Sequence, residues 1–259
     1  MGAEAVAVAC DVSDRDALAA VLDGIPAEHA LTGIVHTAGV VDDGVFASMT
    51  PERVGAVFAP KADAALHLHE LTASLDLAMF TSYSSVAATY GSPGQANYAA
   101  ANAVLDALAH HRRARGLAGQ SLGWGLWGRA SDISGHLSAT DLARIGGALS
   151  DEQGMALFDA ALASAPAHVL PVRLHLSELK RRGDVPALLR GLVRVPKRRA
   201  TAAALDRSSL AGRLAGLSAA EQERQLTALV LGEVAGVLGH VSGRPSRRAV
   251  RSRSWASIR

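Results

Sequence analysis

Residues 77–124 constrain the fold more than any other part of this chain. Leu77 to Phe80 and on to Tyr83 form an apolar run of the length of one buried strand. Ser84-Ser85 close it, and Gly91-Ser92-Pro93-Gly94 then break the chain. From Ala96 an alanine-rich stretch predicts a helix to about residue 115, and Gln120 to Trp124 reads as another strand. Strand, helix and strand in that order argue a crossover within a parallel sheet.

The remaining periodicity extends the alternation. Val6 to Ala9 is a strand candidate, and Asp14 to Leu22 a helix with Ser13 as its N-cap. Gly33 to His36 is a second short strand. Pro51 opens a helix with Thr50 as N-cap, because the first helical turn tolerates the missing N–H of proline. That helix is interrupted at Pro60 and resumes through Leu71. Residues 128 to 150, polar and rich in Gly and Ser, read as a lid. Asp151 to Ala163 is a further helix and His168 to Leu174 the last strand. The fold class is α/β, a parallel sheet flanked by helices.

Composition narrows the function classes. At 259 residues and 49% hydrophobic, the chain is not a disordered polymer. The lone Cys10 permits no internal disulfide, which places the chain in a reducing cytoplasm. No run of eighteen apolar residues and no signal-peptide pattern follows Met1, so no membrane partner is expected. Net charge is only +2, with basic clusters in the last third at Lys180-Arg181-Arg182, Lys197-Arg198-Arg199 and the final residues. No interleaved aromatics or recognition helix accompany them, which argues against nucleic acid. The ten histidines offer no metal-ligand spacing, since His67 and His69 fall on different helix faces.

Ser85, at a strand end, and Tyr98, at a helix start, can address one substrate oxygen. Asn102 lies four residues beyond Tyr98, on the same helix face. A hydroxyl and a phenol so placed can give a proton to a carbonyl as hydride arrives. Taken singly, each has an ordinary reading: a packed aromatic, a strand-ending serine, a locally bonded asparagine.

Ser and Tyr at this separation resemble the short-chain dehydrogenase/reductase superfamily. The segments His36-Thr37-Ala38-Gly39-Val40, Val41-Asp42-Asp43-Gly44-Val45-Phe46, Pro60-Lys61-Ala62-Asp63 and Leu68-His69-Glu70-Leu71-Thr72 resemble the ketoreductase domain of modular polyketide synthases. The likeness spans roughly residues 1 to 200. It implies a Rossmann-like fold and a catalytic set of Lys61, Ser85, Tyr98 and Asn102, with Lys61 lowering the pKa of the Tyr98 phenol. It implies NADPH as reductant, contacted by Asp11, Val12, Ala38, Gly39, Lys61 and Tyr98. The implied substrate is a β-ketoacyl chain on an acyl carrier protein, with other synthase domains as partners.

Relatives of the B type, which form the D-hydroxyl, carry Leu-Asp-Asp together with Pro and Asn near the tyrosine. Here stand Val41-Asp42-Asp43, Pro93 and Asn97, and Tyr90 replaces the tryptophan of the opposite type. The resemblance starts at the family's third strand, so the first βαβ unit and its pyrophosphate-binding turn are expected to be missing. The one Gly-x-Gly-x-x-Gly match, Gly123 to Gly128, has no helix and ribose-binding acid after it and is a decoy. An isolated chain of this kind is expected to show little activity, and an inactive synthase fragment is the alternative reading.

Three regions are expected: a ketoreductase domain at 1–196, an alanine-rich linker at 197–217, and a partial carrier domain at 218–259. Ser218 to Glu221 reads as a capping box. Leu226 to His240 resembles the first helix of an acyl carrier protein, whose phosphopantetheine-bearing serine has no counterpart here. A carrier or interaction remnant is thus the third reading. A frameshift after His240 would explain the Arg/Ser-rich tail, since codons for 251–259 read from each third base can encode Phe-x-x-Leu-Gly-Phe-Asp-Ser. Gene sequencing that finds no carrier motif in either shifted frame contradicts this.

Overall fold

The computed structural model describes residues 3–128, 147–182, 187–193 and 210–237. Two compact units divide the chain, Met1–Val195 and Pro196–Arg259. In the first, four parallel strands run side by side in chain order: β1 (Gly33–His36), β2 (Met79–Ser85), β3 (Gln120–Trp124) and β4 (His168–Val169). Ile34 pairs with Phe80, Ser85 with Trp124 and Leu122 with Val169, which sets the register. Every residue of β3 is buried, as a parallel strand covered on both faces should be.

The helices are α1 (Arg15–Asp23), α2 (Pro51–Phe58), α3 (Ala64–Leu71), α4 (Ala87–Tyr90), α5 (Ala96–Ala114) and α6 (Asp151–Leu162). Leu18, Ile34, Leu68, Phe80, Leu105 and Leu108 knit α1, β1, α3, β2 and α5 into the main core. Leu122, Trp124 and Ala161, with Tyr83 and Phe158 packed against them, form a second cluster between sheet and α6. A third cluster of Val57, Ala62, Ala87, Tyr98 and Ala101, with Val41 against it, lies under the polar site.

Thr50 caps α2 as expected, its hydroxyl accepting from Arg53 N. At the N-terminus of α1 the cap is Asp14 rather than Ser13. Asp14 accepts from Asp16 N and Ala17 N, while Ser13 is turned back onto the Asp11 carboxylate by two hydrogen bonds. Two strand readings need correction. Val6 to Ala9 joins no ladder, and Val6 and Val8 are 77% and 59% exposed. An extended run forms a strand only where a partner offers its N–H and C=O groups, and no described strand does. The last strand keeps only His168–Val169 of the expected run to Leu174, because only Ser121 and Leu122 of β3 pair with it. The lid expected over 128–150 falls mostly on 129–146, outside the described residues.

In the second unit, the helix Ala219–Val237 starts at Ser218. The Ser218 backbone N–H and hydroxyl both bond the Glu221 carboxylate, the reach-back half of a capping box.

Candidate functional site

All three polar groups singled out on β2 and α5 sit at the C-terminal edge of the sheet, where ligands of open parallel sheets bind. Ser85 is the last residue of β2, and its Oγ accepts from Ala87 N at 3.2 Å, which turns the chain into α4. Gly91 and Gly94, at φ of 75° and 79°, take the left-handed turns that bring the chain back to start α5. Tyr98 lies in the first turns of α5, 8% exposed. Asn102 is fully buried one turn on, and its Nδ2 donates to Tyr98 O at 2.8 Å. Its Oδ1 is buried and meets no partner among the described residues.

Lys61 is delivered by a distortion. Pro60 cannot supply an N–H, and residues Ala59–Asp63 widen into a π turn, with Ala64 N reaching Ala59 O. Such turns inside helices recur at functional sites. The Lys61 side chain is only 3% exposed, and its Nζ donates to Tyr83 O at 3.0 Å. The ammonium lies 5.5 Å from the centroid of the Tyr98 ring. Burial brings its pKa down to about 8, against a smaller opposing pull from the Asp106 carboxylate.

The expected effect of Lys61 on Tyr98 is corrected here. Burial is the largest influence on the phenol and holds it above the usual tyrosine range. Hydrogen bonding with Ser85 and Asn102 acts the other way, and the Asp43 charge adds to the rise. Lys61 points its ammonium at the Tyr83 carbonyl rather than at the phenol oxygen. Tyr98 is therefore protonated at neutral pH, the state a proton donor needs.

Three features around Lys61 and Ser85 have roles that sequence reasoning did not assign. His36 Nε2 lies 2.9 Å from Lys61 O, and burial, with the Lys61 charge adding, pushes the imidazole below its usual range. Neutral His36 can then donate to the carbonyl and fix the π turn. Gly39 backs Lys61 so closely that a Cβ there would stand 2.7 Å from Lys61 Cε. Trp124, beside Ser85 in register, has a buried indole N–H without a partner among the described residues. A backbone-derived carbonyl contact or a missing Cβ leaves no pattern in a single sequence. Replacing Gly39 by Ala is expected to cost about 1–3 kcal/mol of stability by overpacking. Denaturant titration reads that loss, and the displaced Lys61 should gain reactivity toward amine reagents.

The Val41-Asp42-Asp43 loop is bonded directly to the segment before Tyr98. Gly44 N donates to Gly94 O at 2.7 Å, Gln95 Nε2 to the Asp43 carboxylate at 3.0 Å, and Asn97 Nδ2 to Asp42 O at 3.0 Å. Asn97 Oδ1 in turn accepts from Tyr98 N. Pro93 is exposed between the two glycine turns. Ala38 is half-buried just past β1, whereas Asp11 is exposed in its Ser13-bonded turn and Val12 packs against the main core.

Comparisons with known proteins bear on the family. Residues 1–129 match the KR domain family. The chain is 53% identical over 253 residues to polyketide synthase GfsA of Streptomyces halstedii, covering 93% of this chain and 3% of that protein. It is 49% identical over 250 residues to mycoketide-CoA synthase of Mycobacterium tuberculosis (strain ATCC 25618 / H37Rv), covering 93% of this chain and 6% of that protein. A solved structure described as A-type ketoreductases from a modular polyketide synthase superposes with a TM-score of 0.64 at 38% identity. It covers 72% of this chain and 40% of that chain. A structure of an A1-type ketoreductase gives 0.63 at 36%, over 73% of this chain and 40% of that one. Through residues 1–129, with their Ser, Tyr, Lys and Asn at the head of a parallel sheet, the chain belongs to the ketoreductase (KR) domain family of polyketide synthases.

Proposed function

We propose that this chain contributes the reducing site of a polyketide synthase ketoreductase. The reaction is conversion of a β-ketoacyl thioester on an acyl carrier protein to the β-hydroxyacyl form with NADPH. One observation carries the reading: a buried lysine, a serine, a buried tyrosine and an asparagine converge at the carboxyl end of β2.

The residues present fit the nicotinamide end of such a cofactor. Lys61 Nζ gives one N–H to Tyr83 O and has two left, and Asn102 Oδ1 is an unpartnered acceptor. Ribose hydroxyls or a relay water would satisfy both, with Ala38 and Gly39 flanking, and Asp11 and Val12 toward the adenine. Bound there, NADPH supplies the hydride. Ser85 holds the substrate carbonyl oxygen and Tyr98 gives it the proton. The phenolate left behind is stabilised by the Lys61 ammonium over the same ring face. Because Tyr98 and Lys61 are buried, these charges act at low dielectric, where they weigh more than in water.

Asp42, Asp43 and Asn97, joined by hydrogen bonds between their two segments, together with Pro93 support B-type stereochemistry, giving the D-hydroxyl. The proposed organisation keeps a ketoreductase at 1–196, a linker at 197–217 and a carrier-derived region at 218–259. Leu229, Val230 and Leu231 on the helix Ala219–Val237 are exposed, which suits a helix that packs in a carrier bundle. Other synthase domains would be its neighbours. Among the described residues no helix is long and apolar enough to cross a membrane, and no group of three metal-ligating side chains gathers.

Because the chain spans 40% of each of the two solved ketoreductase chains described above, its test has two arms. NADPH fluorescence is titrated with this chain alone and with the chain joined behind the remaining part of a ketoreductase. Saturable binding in the joined protein, weakened by Lys61→Met, is expected. No binding in either arm contradicts the proposal.

A further inference from the structure

Arg53 spends Nε and Nη2 of its guanidinium on the loop that carries Asp42 and Asp43, and Nη1 on Ser48 just beyond it. Thr50 caps the first turn of α2 by accepting from the backbone N–H of Arg53, which fixes where this side chain leaves the helix. Nε donates to Asp42 Oδ2 at 2.9 Å and Nη2 to Asp42 Oδ1 at 2.5 Å, a two-pronged carboxylate grip. Nη2 also donates to Asp43 O at 2.8 Å, and Nη1 to Ser48 O at 3.1 Å and Ser48 Oγ at 3.3 Å. The guanidinium holds Asp42 below the usual carboxylate range, chiefly through these hydrogen bonds.

Gly44 completes the fit, since a Cβ there would stand 2.7 Å from Nη1. The gripped loop passes its position on through three contacts: Gly44 N to Gly94 O, Gln95 to Asp43, and Asn97 to Asp42 O. Asn97 accepts from Tyr98 N, so the path ends on the residue that gives the proton. An exposed ion pair alone would do little. A planar fork that meets both carboxylate oxygens of Asp42 and the backbone carbonyls of Asp42 and Asp43 is a template, and lysine, a point charge without the fork, has no equivalent geometry.

We propose that Arg53 is a positioning residue that decides which face of the substrate carbonyl meets Tyr98, by fixing the Asp42–Gly44 loop against residues 94–97. The inference rests on the proposed ketoreductase reading and adds to it a residue outside the fingerprint positions. Arg53 touches neither substrate nor cofactor in this role.

Arg53→Leu and Arg53→Lys are compared with the unsubstituted protein by two readouts. Amide exchange at Gly44, followed on the full chain, needs no activity. The ratio of D- to L-hydroxyl product, followed in the joined protein, reads facial choice. A symmetric ketone, whose alcohol has no stereocentre, reports the reducing machinery alone. Arg53→Leu is expected to lose Gly44 protection by about tenfold or more. It should lower the D-to-L ratio by about tenfold, with the symmetric ketone reduced within about threefold of the original rate. Arg53→Lys should fall between the two, and carries the test if Arg53→Leu does not fold. Unchanged protection or an unchanged ratio in both variants overturns the proposal. An L product from the unsubstituted protein contradicts the B-type reading instead, and leaves the change of ratio to decide the role of Arg53.

Discussion

Tyr98→Phe is expected to lower kcat/KM for reduction of a β-ketoacyl thioester by about 10²–10⁴-fold, the usual worth of a positioned proton donor. KM should change little, because the phenyl ring keeps its place in the Val57, Ala62, Ala87 and Ala101 cluster. The loss falls on kcat because the proton is needed only as charge develops on the carbonyl oxygen. Burial holds the phenol above the usual tyrosine range, so the unsubstituted joined protein should work at neutral pH without an acidic limb from Tyr98. Steady-state kinetics on both proteins, each joined behind the remaining part of a ketoreductase, check this. A Tyr98→Phe rate within a few-fold of the original means another group supplies the proton.

Lys61→Met is the second large effect, and it shows in stability as well as in rate. The Lys61 pKa is lowered from 10.5 to about 8, with burial its main cause. A base whose folded pKa is depressed binds fewer protons folded than unfolded between those two values. Stability therefore rises as pH climbs from about 8 to 10.5 and is lowest below that window. That depression corresponds to about 3 kcal/mol. Relative to Lys61→Met, which has no such group, the unsubstituted protein should gain about that much between pH 7 and pH 11. Parallel denaturant titrations at the two pH values read the difference. In rate, loss of the ammonium opposite the Tyr98 phenolate should cost about 10²-fold or more. The alkaline limb set by Lys61 near pH 8 should disappear with it. A wild-type stability that is flat with pH relative to the variant would mean Lys61 is solvated.

Much of this arrangement was legible because it rests on local chemistry. Thr50-Pro51, Gly91 to Gly94 and the alanine-rich run after Ala96 each force a boundary, and the strand Gln120–Trp124 has the limits read from the sequence. Ser85, Tyr98 and Asn102 converge as their strand-end and i, i+4 spacing requires. Val6 to Ala9 has the composition of a strand, but composition says nothing about whether a partner lies alongside. Long-range electrostatics were likewise hidden. Lys61 was expected to lower the Tyr98 pKa, and only the fold shows that burial is the largest influence on the phenol and that the ammonium turns to Tyr83 O. Arg53 looks like a surface helix residue until the loop it grips is brought back to α2.

The most direct test is a single-turnover product analysis. The chain, joined behind the remaining part of a ketoreductase, is mixed with NADPH and a β-ketoacyl pantetheine thioester, and the acyl product is analysed by mass and chirality. The site described here predicts an acyl product heavier by two hydrogens, of D configuration, formed by the unsubstituted protein and nearly absent with Tyr98→Phe. No hydroxyacyl product, or equal product from both proteins, would contradict the assignment of reduction to Lys61, Ser85, Tyr98 and Asn102.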